Sequence, residues 1–288
     1  MLNPKPHNIM KKLTTLALLF IAFTSIAFAQ ISDLEKSSLV DLYNSTNGEN
    51  WNHSWDLTQD VSTWYGVTIT NNSVTEIDLN MNNLNGSIPT SIKNLNNLQH
   101  LNLGFNQIGG KIPDEITMLQ SLETLHLFMN NLEGELPSNI GNLINLKELV
   151  LFNNLISGFL PLSIYNLTQL EKLQLSSNKF SGVLLSAIEN LENLTILSVF
   201  DNSMYGNIPA QLGNLIQLEE LALANNLFEG QVPNTLSNLK KLETLILSNN
   251  RFTGSVNLSI QNLPKLLVFE FNNNPREINI SNKTVSIN

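Results

Sequence analysis

Among 288 residues, the side chains that come nearest to a set able to do chemistry are His100, His126 and Glu148. Histidine and carboxylate are common zinc ligands and common general bases, and a working site gathers several of them on one point. Here the two histidines fall two strand positions apart in successive repeats, where solvated surface side chains are the ordinary outcome, so no metal and no other cofactor is expected. His7 lies in a leader and His53 in an N-terminal cap, which leaves no further imidazole to complete a site. Cysteine is absent, so thiol chemistry and disulfide staples are both excluded. The stretch from Gly104 to Gly110 does not run from a strand into a helix, as a phosphate-binding loop must, and the paired acids Glu219 and Glu220 fall at a strand edge where water would solvate them. No base, nucleophile and orienting group come together, and the chain reads as a non-enzyme.

What carries these residues is a strict period. Asn82, Asn106, Asn130, Asn154, Asn178, Asn202, Asn226, Asn250 and Asn274 recur every 24 residues, and Gly86 begins a glycine series four residues later that continues to Gly254. Proline follows at 89, 113, 137, 161, 209 and 233, with Leu185 and Asn257 replacing it at two positions that can still turn. A fixed period of this length means stacked repeats. Within one unit Leu149 and Leu151 alternate as a short strand with both side chains inward, and Asn154 turns its amide inward to satisfy the bend of its own and the next coil. A buried amide costs several kcal/mol if unpaired, so a continuous asparagine series makes sense only where stacking supplies the partners. Each inward leucine contributes on the order of 1.5–3 kcal/mol, and because one coil cannot bury both its faces, stability belongs to the array.

The unit N-x-L-x-G-x-I-P on a 24-residue period, shown by Asn154, Ile156, Gly158, Leu160 and Pro161, resembles the plant-type leucine-rich repeat over about residues 72–274. The resemblance implies an α/β-type repeat solenoid: a right-handed leucine-rich-repeat superhelix with a concave parallel β-sheet and an irregular or 3-10 convex side. That type occurs in ectodomains of plant receptor-like kinases, in polygalacturonase-inhibiting proteins and in secreted bacterial proteins. It is specific for fold and weak for function, because one scaffold carries many ligands.

Both ends are read as caps. Lys11 and Lys12 precede an uncharged run from Leu13 to Phe28 that ends in Ala27-Phe28-Ala29, which is the pattern of a secretory signal peptide over residues 1–29, with Met10 as an alternative start. Residues 30–72 form the N-terminal cap: Ser32-Asp33-Leu34-Glu35 opens a short helix as a capping box, Trp51, Trp55 and Trp64 cluster as cap core, and a hairpin turns at Asn71-Asn72. The stretch from Trp51 to Val67 resembles the cap of plant leucine-rich-repeat proteins, whose cysteines are here replaced at Ser62 and Ile69, pointing to bacterial versions of the family. Residues 73–274 hold eight to nine repeats. Phe269 and Phe271 stand in for the last strand leucines, and Ile278, Ile280, Val285 and Ile287 alternate as a closing hairpin in the C-terminal cap, residues 275–288. No second membrane segment is evident.

If the strand leucines point inward, the residues before, between and after them line the concave sheet in columns. The third column, after the second leucine, holds Phe128, Phe152 and Phe200, with Phe105 and Met129 one position on and Val150 and Ile196 beside them, an apolar patch over repeats two to six framed by His100, His126, Glu148, Lys172, Gln174 and Asp201. Exposed apolar patches mark binding surfaces. The expected partner is a protein, peptide or glycan ligand outside the cell or on its surface. Self-association, and inhibition of an extracellular polysaccharide hydrolase, stay open as alternatives. Removing residues 1–29 takes away Lys5, Lys11 and Lys12 and no acid, leaving 12 basic and 24 acidic residues and a net charge of −12, so nucleic acid is not a partner. Mass spectrometry of the exported protein is expected to find Gln30 at the N-terminus; an intact leader would overturn the signal-peptide reading.

Overall fold

Ser32 starts the first element by capping it. In the computed structural model, which describes residues 31–275, the Ser32 Oγ accepts a hydrogen bond from the Glu35 backbone N–H at 3.2 Å, and the Glu35 carboxylate accepts one from the Ser32 N–H at 3.1 Å. This opens the helix Asp33–Ser45, which buries Leu39, Leu42 and Tyr43. Glu35 is itself buried because its other oxygen accepts from the Val74 N–H at 3.0 Å and ties the helix to the first coil. Trp51, Trp55 and Trp64 are buried, with Trp55 and Trp64 stacked at 4.7 Å, and their indole N–H groups donate to the carbonyls of Thr46, Tyr65 and Asp56. They form cap core, as expected from the sequence. The expected signal sequence, residues 1–29, and the expected closing hairpin with Ile278, Ile280, Val285 and Ile287 lie outside the described residues.

Strands β1 (Val67–Thr70) and β2 (Ser73–Asp78) pair antiparallel across Asn71 and Asn72, which hold φ of 51° and 63°. Two consecutive left-handed residues are what a tight hairpin turn requires, and asparagine tolerates them. From β2 onward eight three-residue strands, from His100–Asn102 to Val268–Glu270, add in parallel, one per coil, to complete a ten-stranded sheet. Leucine pairs with leucine across it, Leu101 to Leu125 to Leu149 to Leu173, so the inward residues stack into one continuous core.

The asparagine series is a ladder, and it runs opposite to the sequence-based expectation. The Asn154 amide N–H groups donate to Leu151 O in its own coil and to Leu127 O in the preceding one, both at 3.0 Å, while its oxygen accepts from the Leu132 N–H of that preceding coil at 3.0 Å. Each asparagine therefore closes its own bend and the one before it, not the one after. The first rung is different: Asn82 accepts from the His53 N–H at 2.6 Å, which joins the ladder to the cap. The residue before each ladder asparagine, from Met81 to Asn273, has φ between 50° and 59°.

A second parallel sheet, not anticipated from the sequence, lies on the return path. Its eight strands run from Asn85–Gly86 to Arg251–Phe252, and 3-10 segments such as Asp114–Met118 and Leu162–Asn166 follow them, as the repeat implied. Asn131–Glu135 illustrates why: Leu132 points into the core while Asn131, Glu133 and Glu135 point out, a period of two. Replacing Asn154 by alanine takes the side-chain partner from the buried Leu132 N–H, whereas Leu127 O and Leu151 O keep the amides of Asn130 and Asn178. A loss of about 1–3 kcal/mol in urea unfolding is expected, the cost of one orphaned buried group; a change below about 1 kcal/mol would show that the ladder is not what holds the coils.

Candidate ligand-binding face

Register places the outward side chains of the ten-stranded sheet in columns. One column holds His100, Thr124, Glu148, Lys172, Ile196 and Glu220, and the next holds Asn102, His126, Val150, Gln174, Ser198 and Ala222. Beyond the second inward leucine comes the column with Phe128, Phe152 and Phe200, all half-buried.

Three of the expected aromatic residues meet. Phe128 stacks on Phe152 with ring centroids 4.8 Å apart and 18° between planes, and Phe105 meets Phe128 edge-on at 5.3 Å. The Phe128 ring lies over Gly104, where an added Cβ would stand only 2.6 Å from its Cζ, so the glycine makes the space in which the ring lies down. Phe105 and Met129 remain exposed, at 43% and 36%, although both occupy the left-handed backbone position that Met81 fills in the first coil and asparagine, serine or aspartate fill from Asn153 onward. A non-glycine residue there costs about 1–2 kcal/mol, and the cost falls on these two large apolar residues more heavily than on asparagine. Strain of this kind collects at functional positions.

The rest of the expected patch does not assemble. Val150 is only 5% exposed and presents no surface to a ligand, because its in-register neighbours His126 and Gln174 are longer and flank it on both sides. Phe200 sits two coils beyond Phe152, with Ser176 between them, and Ser176 is engaged with Ser198 through their hydroxyls at 2.6 Å. The apolar surface is thus a cluster around Phe105, Phe128, Met129 and Phe152, with Phe200 and half-buried Ile196 forming a separate island.

The polar frame is partly self-satisfied. His126 donates from Nε2 to Glu148 at 2.9 Å, and Lys172 donates to the other Glu148 oxygen at 2.7 Å, so Glu148 bridges three coils. His100 bonds instead to the Thr124 hydroxyl at 3.1 Å and does not join them. Among the described residues no three His, Asp or Glu side chains converge as a metal site. Gln174 is half-buried and Asp201 exposed. Glu220 departs from the solvated state expected for it: it is half-buried on the sheet, and burial pushes its carboxyl up. Nearby, Ala222 and Ala224 are buried and the Ser248 hydroxyl is enclosed without a hydrogen-bond partner. The sequence signal for this small-residue stretch was the replacement of phenylalanine by alanine and serine in the column after Phe200.

Burial pushes the Glu148 carboxyl up, but the hydrogen bonds from Lys172 and His126 outweigh it and hold the group below its ordinary value near 4.5. A depressed folded value means stability that is present above the ordinary value and lost as pH falls through the folded one. Glu148→Gln is therefore expected to unfold more readily than the parent at pH 7 and equally at pH 2–3, roughly, where the parent carboxylate is protonated. A difference in thermal midpoint that persists unchanged at the acid end would refute the bridging role.

No curated protein matches the chain. The family model described as a leucine-rich repeat region matches residues 76–207, and the single leucine-rich repeat matches residues 217–239 and 241–263. Among solved structures, the ectodomain of the membrane receptor kinase GASSHO1/SCHENGEN3 from Arabidopsis thaliana, in complex with CASPARIAN STRIP INTEGRITY FACTOR 2, superposes with a TM-score of 0.80 at 31% identity, over 84% of this chain and 30% of that one. The Arabidopsis receptor kinase HAESA, in complex with the peptide hormone IDA and the co-receptor SERK1, gives 0.77 at 31% identity over 85% and 42%. A plant ice-binding protein gives 0.70 at 22% identity over 86% and 88%, a likeness of fold alone. The chain spans less than half the length of these receptor ectodomains. No helix among the described residues is long and apolar enough to cross a membrane. The chain belongs to the leucine-rich-repeat family, and its repeats resemble those of plant receptor ectodomains.

Proposed function

We propose that the chain is an exported recognition module, not an enzyme, and that it binds a protein or peptide on the outer side of the ten-stranded sheet. The observation that carries this reading is the cluster of Phe105, Phe128, Met129 and Phe152, where large apolar side chains stay at the surface and two of them occupy unfavourable backbone. The solenoid does not need them, since other coils place asparagine and serine in the same columns. Aromatic side chains bring large contact area at little entropic cost, which is why they anchor protein and peptide interfaces. His126, Glu148 and Lys172 beside them offer a bonded polar rim that fixes orientation. Receptor ectodomains with the same repeats were solved with a bound peptide hormone, which supports a peptide in preference to a glycan here.

The test is an array of secreted proteins, peptides and glycans probed with the mature chain and with a Phe128→Ser/Phe152→Ser variant. A protein or peptide bound by the parent and weakened about a hundredfold in the variant, about 2.7 kcal/mol, is the expected result for the loss of two interface anchors. Equal binding by both, with circular dichroism showing both folded, would remove this cluster from the site.

A further inference from the structure

The second sheet carries an apolar surface of its own. Phe159 and Tyr205 on its strands, with Leu162 and Val183 just beyond them, are exposed, Phe159 at 65% and Leu162 at 74%, more than any aromatic residue on the ten-stranded sheet. The repeat does not ask for them. The position after the coil glycine is Ser87, Lys111, Glu135, Asn207, Gln231 and Ser255 in other coils, and apolar only at Phe159 and Val183. The Phe159 ring meets Gly182 by its edge, where an added Cβ would come within 2.6 Å of its Cδ1, so the ring leans over the next coil as a shelf.

Directly beside this shelf is a groove of about 890 Å³ that runs across the preceding coils, with Lys111, Asp114, Glu115 and Glu135 among its walls. Gly134, Ser138 and Ser157 carry its lining up to the coil of Phe159 and Leu162, and Ser163 donates to Ser138 O at 2.7 Å to lock the two coils together. Three acids thus face one lysine, and none of them is in an ion pair with another described residue. The groove is net negative and its far end is greasy.

We propose that this groove and shelf dock an extended segment of a partner protein in which lysine or arginine side chains precede two large apolar ones. Coils are spaced about 4.8 Å apart, so the path from Lys111 to Val183 is about 15 Å, the length of roughly five extended residues. The basic side chains meet Asp114, Glu115 and Glu135, and the apolar ones lie on Phe159, Leu162 and Val183. A second copy of this chain is the poorer occupant, because Glu133, Glu135 and Glu229 rim the apolar residues and would meet their own kind in a symmetric dimer. This surface is separate from the aromatic cluster of the ten-stranded sheet, and its test is separate too.

The probe is a fluorescein-labelled seven-residue peptide with lysine at its first and third positions and leucine and phenylalanine at its fifth and seventh, against the same peptide with glutamate for lysine. Titrated with the whole chain, the basic peptide is expected to saturate and to bind at least about tenfold more tightly than the acidic one. Phe159→Ser/Leu162→Ser and, independently, Asp114→Asn/Glu135→Gln are each expected to weaken it about tenfold, while Phe128→Ser leaves it unchanged. Equal binding of the two peptides, absence of saturation, indifference to both double variants, or loss in Phe128→Ser would each overturn the proposal. Concentration-dependent mass of the unliganded chain that Phe159→Ser/Leu162→Ser abolishes would assign the surface to a second copy and overturn it as well.

Discussion

The buried asparagine amide is the constraint on which the rest depends. An amide in an apolar core must find partners for its two N–H groups and its oxygen, and here each one finds them in its own bend and in the bend of the preceding coil. Asn130 binds back to Leu103 O and Ile108, Asn154 to Leu127 O and Leu132, and so on to Asn274. No coil can satisfy its asparagine alone, so the repeats stand or fall together, as a nearest-neighbour array does. The first rung has no preceding coil and uses the cap: Asn82 takes the His53 N–H. The cap is therefore a continuation of the ladder as well as a lid on the core.

Stacking in register has a second consequence. It lines up the same position of every coil, so a change of side chain in one coil alters one point of a column without disturbing the array. The column through Gly104, Phe128, Phe152 and Ser176 shows this, because glycine, phenylalanine and serine succeed each other at one backbone geometry. Chemistry is distributed by the same rule. Glu148 finds His126 and Lys172 in the coils on either side and is held charged, whereas Glu220, in the same column, has Ile196 and Thr244 as neighbours and no partner for its carboxylate among the described residues. One fold position thus gives a satisfied ion bridge in one coil and a desolvated, unpaired acid three coils later.

The two faces with exposed aromatic residues differ in how the rings are supported. On the ten-stranded sheet Phe105, Phe128 and Phe152 support one another, and the two most exposed members of their cluster, Phe105 and Met129, sit on left-handed backbone. On the second sheet Phe159 rests on the bare backbone of Gly182 beside a groove with three acids that form no ion pair among the described residues. The first is an apolar anchor with a polar rim, and the second an acidic channel that ends in an apolar shelf, so the two surfaces call for ligands of different charge.

Sequence by itself determined the class of fold, the period, the identity of the inward residues and both N-terminal devices, the capping box at Ser32 and the hairpin turn at Asn71-Asn72. These are local or strictly periodic features, and a 24-residue repeat of leucine, asparagine and glycine permits few other arrangements. It also located the candidate face, because alternation in a strand says which side chains point out. What only the tertiary structure decided is how those side chains meet across coils. Val150 is covered by its longer neighbours His126 and Gln174, Phe200 is separated from Phe152 by an intervening coil, and the ladder bonds run backward and not forward. The second sheet was present in the alternation of Asn131, Leu132, Glu133 and Gly134, but a two-residue period that short is indistinguishable from a loop until a neighbouring coil supplies the hydrogen bonds. Contacts between residues 24 apart depend on how one coil rests upon the next, and no reading along the chain contains that distance.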